Sequence, residues 1–389
     1  MDTIVKSILT LPVLSATKFP VGLQSHVEDA IQIIKNKSSE VCRIGICGMG
    51  GSGKTTLAKA IYNQIQGTFM EKSFIEDIAQ VTQTRGRVHL LEQLLHDVLK
   101  TNVDSVQMGR SMIRERLYGK RVLIVLDDVN EYFCFSYMNE YGPLDLWNSP
   151  WFGKGTVIII TTRDAALLTM EHVYSIIRIN EMNPNASLKL LSWHAFREAK
   201  PKEEYHLLAK RVVDYCGGLP LTLEVIGSYL YERSIEEWTK VLSRLENIPQ
   251  HEVPQILKIG FDGLRNQMEK YLFLDICCFF VGKDRTYVTK ILNGCGVDPD
   301  SGIRVLIECS LIKVTKNNKF GVHPLLQDMG REVIREISRK EPRKNIELLL
   351  DKDTKYALLE NTVRTFLIYG FDNSFGSCCF LMCNIFVFS

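Results

Sequence analysis

The 389-residue chain has little that would commit it to a membrane, a metal frame or a nucleic acid. Its tail "GSCCFLMCNIFVFS" is apolar but falls short of the ~20 residues a spanning helix needs. The first stretch, "MDTIVKSILTLPVLSATKF", carries an early acid and an internal proline, which argues against a cleaved signal peptide. Lys and Arg number 47 against 45 Asp and Glu, a net +2, too little for a protein that coats nucleic acid or an anionic surface. Eleven cysteines form no CxxC pair, and Cys42, Cys47, Cys277 and Cys278 lie inside apolar runs. They read as reduced core thiols, with no disulfide frame or zinc site expected. Nothing marks Cys378, Cys379 or Cys383 for lipidation beyond their being cysteines. No repeat of 20–50 residues is visible, and "ELLLDKDTKYALLENT" fits no leucine-rich frame. A soluble, cytoplasmic protein is the expectation, with the nucleus left open.

What is present is ordinary globular material, 46% hydrophobic and 24% charged, enough for roughly two or three domains. From Phe19 to about Asn180, apolar runs alternate with amphipathic stretches. Strands are predicted at Val41–Cys47, in "KSFIEDIA", at Arg121–Val129, Thr156–Arg163 and Tyr174–Ile179, with helices in "KTTLAKAIYNQIQ", "VHLLEQLLHDVLK" and around "MIRERL". Unbroken β-branched runs separated by helices predict a parallel sheet covered on both faces, an α/β nucleotide-binding fold. After Asn183 helices dominate, and "SLIKVTKNNKFGVHP" predicts a hairpin turning at Lys316–Asn317–Asn318–Lys319. Helices followed by a small hairpin suggest a winged helix.

Gly48-Met49-Gly50-Gly51-Ser52-Gly53-Lys54-Thr55 matches GxxxxGK[ST] between a strand and a helix. Glycines let backbone N–H groups wrap a phosphate, Lys54 neutralises its outer charge, and Thr55 offers a hydroxyl to Mg²⁺. Thr56 opens the same helix, whose N-terminus adds its dipole. Asp127 and Asp128 end the third strand, at the edge that faces the loop. There Asp127 can hold Mg²⁺ through water and Asp128 can act as a base on water, or both can be solvated acids opening a turn. Arg163 ends the fourth strand and can read a γ-phosphate, or pair only with Asp164.

"GICGMGGSGKTTLAKAIYN", "RVLIVLDDV", "GTVIIITTRD", "CGGLPLTLEVIG", "FLDICCFF" and "LLQDMGREVIRE" follow one another in the order and spacing of the NB-ARC module. From "FPVGLQSHVEDAI" to "REVIREIS" the chain resembles the nucleotide-binding portion of plant TIR-type, leucine-rich-repeat immune receptors. The resemblance implies a linker remnant over 1–18, a P-loop domain over 19–180, an all-α ARC domain over 181–252 and a winged-helix domain over 253–340. An atypical tail at 341–389 follows. It also implies a buried ADP or ATP with Mg²⁺. Val21 and Gly22 match the segment leaning on adenine, Pro220 the proline closing over the nucleotide, and His323 the middle of the family's Met-His-Asp triplet, which reaches the ADP β-phosphate.

The expected function is an ADP/ATP switch in defence signalling with slow or no hydrolysis, working with other immune or signalling proteins and assembling with itself in the ATP state. Two alternatives stay open: a P-loop ATPase whose turnover is the function, and a nucleotide-gated winged-helix transcription regulator. The second would need clustered basic residues, and "DPDSGIRVLIECSLIKV" offers only Arg304 and Lys313. Two departures stand out. The triplet here is Val322-His323-Pro324, so the family's acid is missing, and with it a helix cap and charge partner are expected to be lost. The stretch "EYFCFSYMNEYGPLDLWNSPWFG" reads as inserted or mis-joined sequence, as does the tail after Thr362, and neither a TIR domain ahead of Lys18 nor repeats after Ser338 are expected in this chain.

Overall fold

The structure is a computed structural model that describes residues 13–14, 16–99, 115–130, 152–170, 173–249, 252–294 and 298–340. The aromatic stretch at 131–151, the tail beyond 340, the first twelve residues and part of the helix expected around "MIRERL" lie outside the described residues. The chain divides into two compact units, Met1–Met182 and Asn183–Ser389.

The first unit is built on five parallel strands in the order β2-β3-β4-β1-β5. These are β1 Cys42–Cys47, β2 Glu71–Ile75, β3 Val122–Val129, β4 Val157–Thr162 and β5 Ser175–Arg178. All five strands of the sequence pattern are present, four of them shortened by at most a residue at either end. The second runs Glu71–Ile75 and stops four residues short of the expected "KSFIEDIA", whose Ile78 and Ala79 begin a helix instead. Every residue of β4 is buried, as expected where helices cover both faces of a sheet. On one face, α1 (Gln24–Asn36) and α2 (Lys54–Ile65) pack Val27, Ala30, Leu57 and Ile61 against Ile44, Ile46 and Val125. On the other, α3 (Ile78–Arg85), α4 (Arg87–Leu99) and α5 (Ala165–Met170) cover Ile124, Leu126 and Ile158. In-register pairing of β1 with β4, from Cys42↔Val157 to Cys47↔Thr162, brings the end of β1 level with the end of β4. Ligands of such sheets bind beyond these carboxyl ends.

The second unit begins with four helices, α6 Pro184–Phe196, α7 His206–Tyr215, α8 Pro220–Leu230 and α9 Ile235–Leu245. α9 starts at a capping box, in which Glu237 N donates to Ser234 Oγ at 3.3 Å and Ser234 N to the Glu237 carboxylate at 3.0 Å. Its buried stripe, Trp238, Val241, Leu242 and Leu245, has helical spacing. Trp238 is fully buried and stacks on Phe196 at 5.4 Å. Burying such a side chain contributes about 2–3 kcal/mol.

Then follow α10 Val253–Asp262, α11 Gln267–Asp275, a π turn at Ile276–Phe280, α12 Arg285–Gly294 and α13 Pro299–Glu308. The hairpin β6 Lys313–Val314 and β7 Phe320–Gly321 turns at the predicted place, with Asn318 at φ 56°. The segment before α12 pairs with β7, Gly282 N donating to Phe320 O and Phe320 N to Lys283 O, which completes the wing. α14, Pro324–Lys340, closes the unit. One hydrophobic cluster runs from Leu219 and Val225 of the helical part through Phe273 and Leu311 to Val333 and Ile334 of α14. Among the described residues no helix is long and apolar enough to cross a membrane.

Candidate nucleotide site

The loop between β1 and α2 turns where side chains cannot follow. Gly53, the residue ahead of α2, sits at φ 96°, and a Cβ on Gly48 would lie 2.7 Å from Ile179 O and 2.8 Å from Ser52 Oγ. Gly51 is also left-handed, while Gly50 lies half-buried between it and the exposed Met49. No side chain caps α2 and its first turn holds no acid, so its leading amides are left for an outside acceptor. Thr56 is half-buried in that first turn.

Lys54 is buried, and its Nζ donates to the carbonyls of Gly48 at 2.8 Å and Met49 at 2.7 Å. Burial lowers its pKa to about 8, with the Arg163 charge acting in the same direction and Asp128 and Asp127 opposing. Ser52 Oγ is buried with no hydrogen-bond partner. A cation resting on its own loop's carbonyls, an orphaned hydroxyl and open helix amides fit a phosphate chain.

Across the edge stands Asp127, fully buried. Thr55 Oγ1 donates to its two oxygens at 2.9 and 3.0 Å, and Thr161 Oγ1 to one of them at 2.7 Å. Burial pushes this carboxyl up to about 6; the Thr161 bond opposes the rise and the charge of Asp77 adds to it. A hard divalent cation would relieve that cost, and a carboxylate with a threonine hydroxyl is a suitable donor set for Mg²⁺.

The pairing of β3 with β4 slips here. Leu126 faces Ile160 and Val129 faces Thr162, so three steps on β3 match two on β4. The extra residue lets Asp128 adopt φ 54°. Its N–H donates to Thr161 Oγ1 at 2.8 Å instead of joining the ladder. The bulge thus gives the two acids different surroundings. Asp127 turns inward to Thr55, and Asp128 meets Arg163, Oδ1 to Nε at 3.5 Å. Asp164, the alternative partner for Arg163, instead takes the amide of Ala166 and starts α5.

Val21 is half-buried and Gly22 exposed at φ 74°, just before α1. In the second unit, Pro220 is the first residue of α8, where its missing N–H costs nothing. His323 precedes α14, and its Nδ1 accepts the amide of Leu325 at 3.2 Å while its carbonyl accepts Gln327 N. The cap expected to vanish with the acid is therefore present, supplied by the histidine itself. With Nδ1 an acceptor, the neutral ring carries its proton on Nε2.

Thr161 and Asp77 were missed in the sequence. Thr161 looks like one more β-branched strand residue, and only the paired threonines before Arg163 hint at a hydroxyl role. Asp77 follows β2 by two residues, beyond the pair Ile75↔Leu126, which puts its charge beside Asp127.

Residues 23–201 match the family model of the NB-ARC domain, and residues 266–338 match that of the Disease resistance protein Roq1-like, winged-helix domain. The chain carries an NB-ARC domain. This implies nucleotide binding and places a winged helix after it. The chain is 40% identical over 328 residues to Disease resistance protein RUN1 of Vitis rotundifolia, covering 83% of itself and 24% of that protein. It is 34% identical over 351 residues to TMV resistance protein N of Nicotiana glutinosa, covering 88% and 30%. It thus spans about a quarter to a third of these relatives. In fold it is similar to a Signal Transduction ATPase with Numerous Domains with a tetratricopeptide repeat sensor from Pyrococcus horikoshii. That match has a TM-score of 0.50 at 17% identity, over 90% of this chain and 47% of that one. The NB-ARC module here is therefore a P-loop NTPase fold similar to the nucleotide-binding part of plant disease resistance proteins.

Proposed function

We propose that this NB-ARC chain is the ADP/ATP-binding switch of a plant intracellular immune receptor, in which the nucleotide is held as a signal and hydrolysed slowly or not at all. The observation that carries the reading is the Asp128–Arg163 pair. The acid expected to activate water forms a partly exposed ion pair with the arginine expected to sense a γ-phosphate, Oδ1 to Nε at 3.5 Å, so each has a resting partner without nucleotide. A sensor gains from that arrangement a resting partner for its arginine in the absence of a γ-phosphate.

In this reading Gly48, Gly50, Gly51, Gly53, Lys54, Thr55 and Thr56 cradle the phosphates, Thr55 and Asp127 hold Mg²⁺, and Val21 and Gly22 lean on adenine. Bound Mg²⁺ would offset phosphate charge and stabilise Asp127 as an anion. From the second unit, Pro220 closes over the nucleotide and His323 donates Nε2–H to the ADP β-phosphate. We keep 19–180, 181–252 and 253–340 as the P-loop, ARC and winged-helix domains, and place the protein in the cytoplasm or nucleus with signalling partners and self-assembly in the ATP state.

The energetics suffice. Moving an equilibrium from 1:99 to 99:1 takes ~5.5 kcal/mol of differential binding. Hydrogen bonds to charged groups contribute ~1.5–3 kcal/mol each, so Arg163 in one state and His323 in the other supply ~3–6 kcal/mol, which reaches that requirement at its upper end. The test is the identity and occupancy of nucleotide in purified protein, by acid release and chromatography. Near-stoichiometric ADP with turnover well below ~1 s⁻¹ is expected. Protein that emerges empty and turns over faster than that would sink the switch.

A further inference from the structure

α2 does more than carry the phosphate lysine. Nine residues beyond Lys54, about 14 Å along the helix axis, Asn63 turns its side-chain amide to the chain that precedes the nucleotide-binding fold. Leu14 N donates to Asn63 Oδ1 at 2.8 Å, and Asn63 Nδ2 donates to Leu14 O at 2.7 Å. One amide therefore satisfies both main-chain groups of one residue, as the edge of a neighbouring strand would. Gln66, itself buried, also points Nε2 at Asn63 Oδ1, at 3.4 Å. Two donors on Oδ1 and one acceptor for Nδ2 fix which way the amide faces.

A second contact points to the same docking. Leu14 is partly buried and packs against the hydrophobic cluster to which Leu57, Ile61, Tyr62 and Ile65 of α2 belong. Since residue 14 is held through its main chain and a general apolar contact, the surface recognises main-chain groups and asks only for an apolar side chain.

We propose that the flank of α2 around Asn63 is a docking surface for this chain's own segment around Leu14, and that it moors whatever precedes the nucleotide-binding fold to the helix bearing Lys54 and Thr55. A displacement of that leading segment then acts on the far end of the helix whose first turn faces the phosphates. Regulation of the nucleotide by this route rests on the switch reading; the mooring itself does not.

Hydrogen exchange of the full chain, read on a peptide containing Leu14, tests the mooring. Asn63→Ala should speed exchange at the Leu14 amide at least tenfold. Asn63→Asp, which keeps the acceptor for Leu14 N–H and loses the donor, should give a smaller increase. Leu14→Pro, which removes the donated N–H and trims the apolar contact while leaving the sequence of α2 unchanged, should speed trypsin cleavage after Lys18 several-fold. Unchanged exchange in Asn63→Ala would overturn the mooring. For the coupling, a fluorescent ADP analogue should leave Asn63→Ala at least twice as fast as the parent protein; equal rates would overturn it. If the parent protein itself binds no analogue, the switch reading fails while the exchange result still judges the mooring.

Discussion

Two loop-to-helix junctions carry residues proposed to meet the nucleotide, and they are built in opposite ways. Before α2, a left-handed glycine replaces any capping side chain, and the leading amides keep no partner of their own. Before α14, His323 Nδ1 takes the amide of Leu325, and Pro324 has no amide to leave over. The open junction offers main chain to an anion. The closed one satisfies itself and offers a side chain. One architecture is legible as a motif because glycines are forced on it; the other depends on a single ring and its tautomer.

Breaking the open junction should cost most. Lys54→Ala is expected to weaken ADP binding about 10- to 150-fold, the loss of a charged hydrogen bond of ~1.5–3 kcal/mol. Titration calorimetry would read this, and unchanged affinity would remove the basis for the comparison. Across the same crevice, Asp127 sets a pH dependence. Its carboxyl lies at about 6 in the fold against 3.8 in the open chain. An acid raised by folding binds its proton more tightly when folded, so its contribution is present below pH 4 and is lost as pH rises to 6. Without nucleotide or Mg²⁺, the stability gap between Asp127→Asn and the parent should widen by about 3 kcal/mol across that window in favour of the variant. A gap that stays flat with pH would contradict the buried, costly carboxylate.

Thr161→Val keeps the shape of the strand but removes the donor to Asp127 and the acceptor of Asp128 N–H. It should lower stability by about 1–3 kcal/mol, seen as an earlier denaturant midpoint, and weaken Mg²⁺-dependent binding more than metal-free binding. At the closed junction the effects are smaller. His323→Ala should cost about 1 kcal/mol as a lost helix cap, and Pro324→Asp should lengthen ADP retention a few-fold by adding an acid to the first helical turn beside His323. Equal ADP retention in parent and Pro324→Asp would show that the missing acid does not weaken the lock.

The phosphate loop and the five strands were readable in the chain because each rests on local demands. Glycine alone tolerates the turn at Gly53, and runs such as Val157–Thr162 are apolar enough to be covered on both faces. The hairpin was readable for the same reason, since Asn318 takes the left-handed position a tight turn requires. Thr161 was not readable, because its hydroxyl matters only through the bulge that brings Asp127 and Asp128 N–H to it. The His323 cap was not readable either, because only the folded backbone decides that the ring turns Nδ1 toward the Leu325 amide.

By itself the sequence determined that a phosphate-binding turn joins a buried strand to a helix, and that a helical region with a wing follows. Those outcomes depend on side-chain size and period, which neighbours in the chain already express. Only the tertiary structure decided that Asp127 is turned to Thr55 while Asp128 faces Arg163. The slip that separates them arises where two strands distant in sequence, Leu126 facing Ile160 and Val129 facing Thr162, must share one ladder.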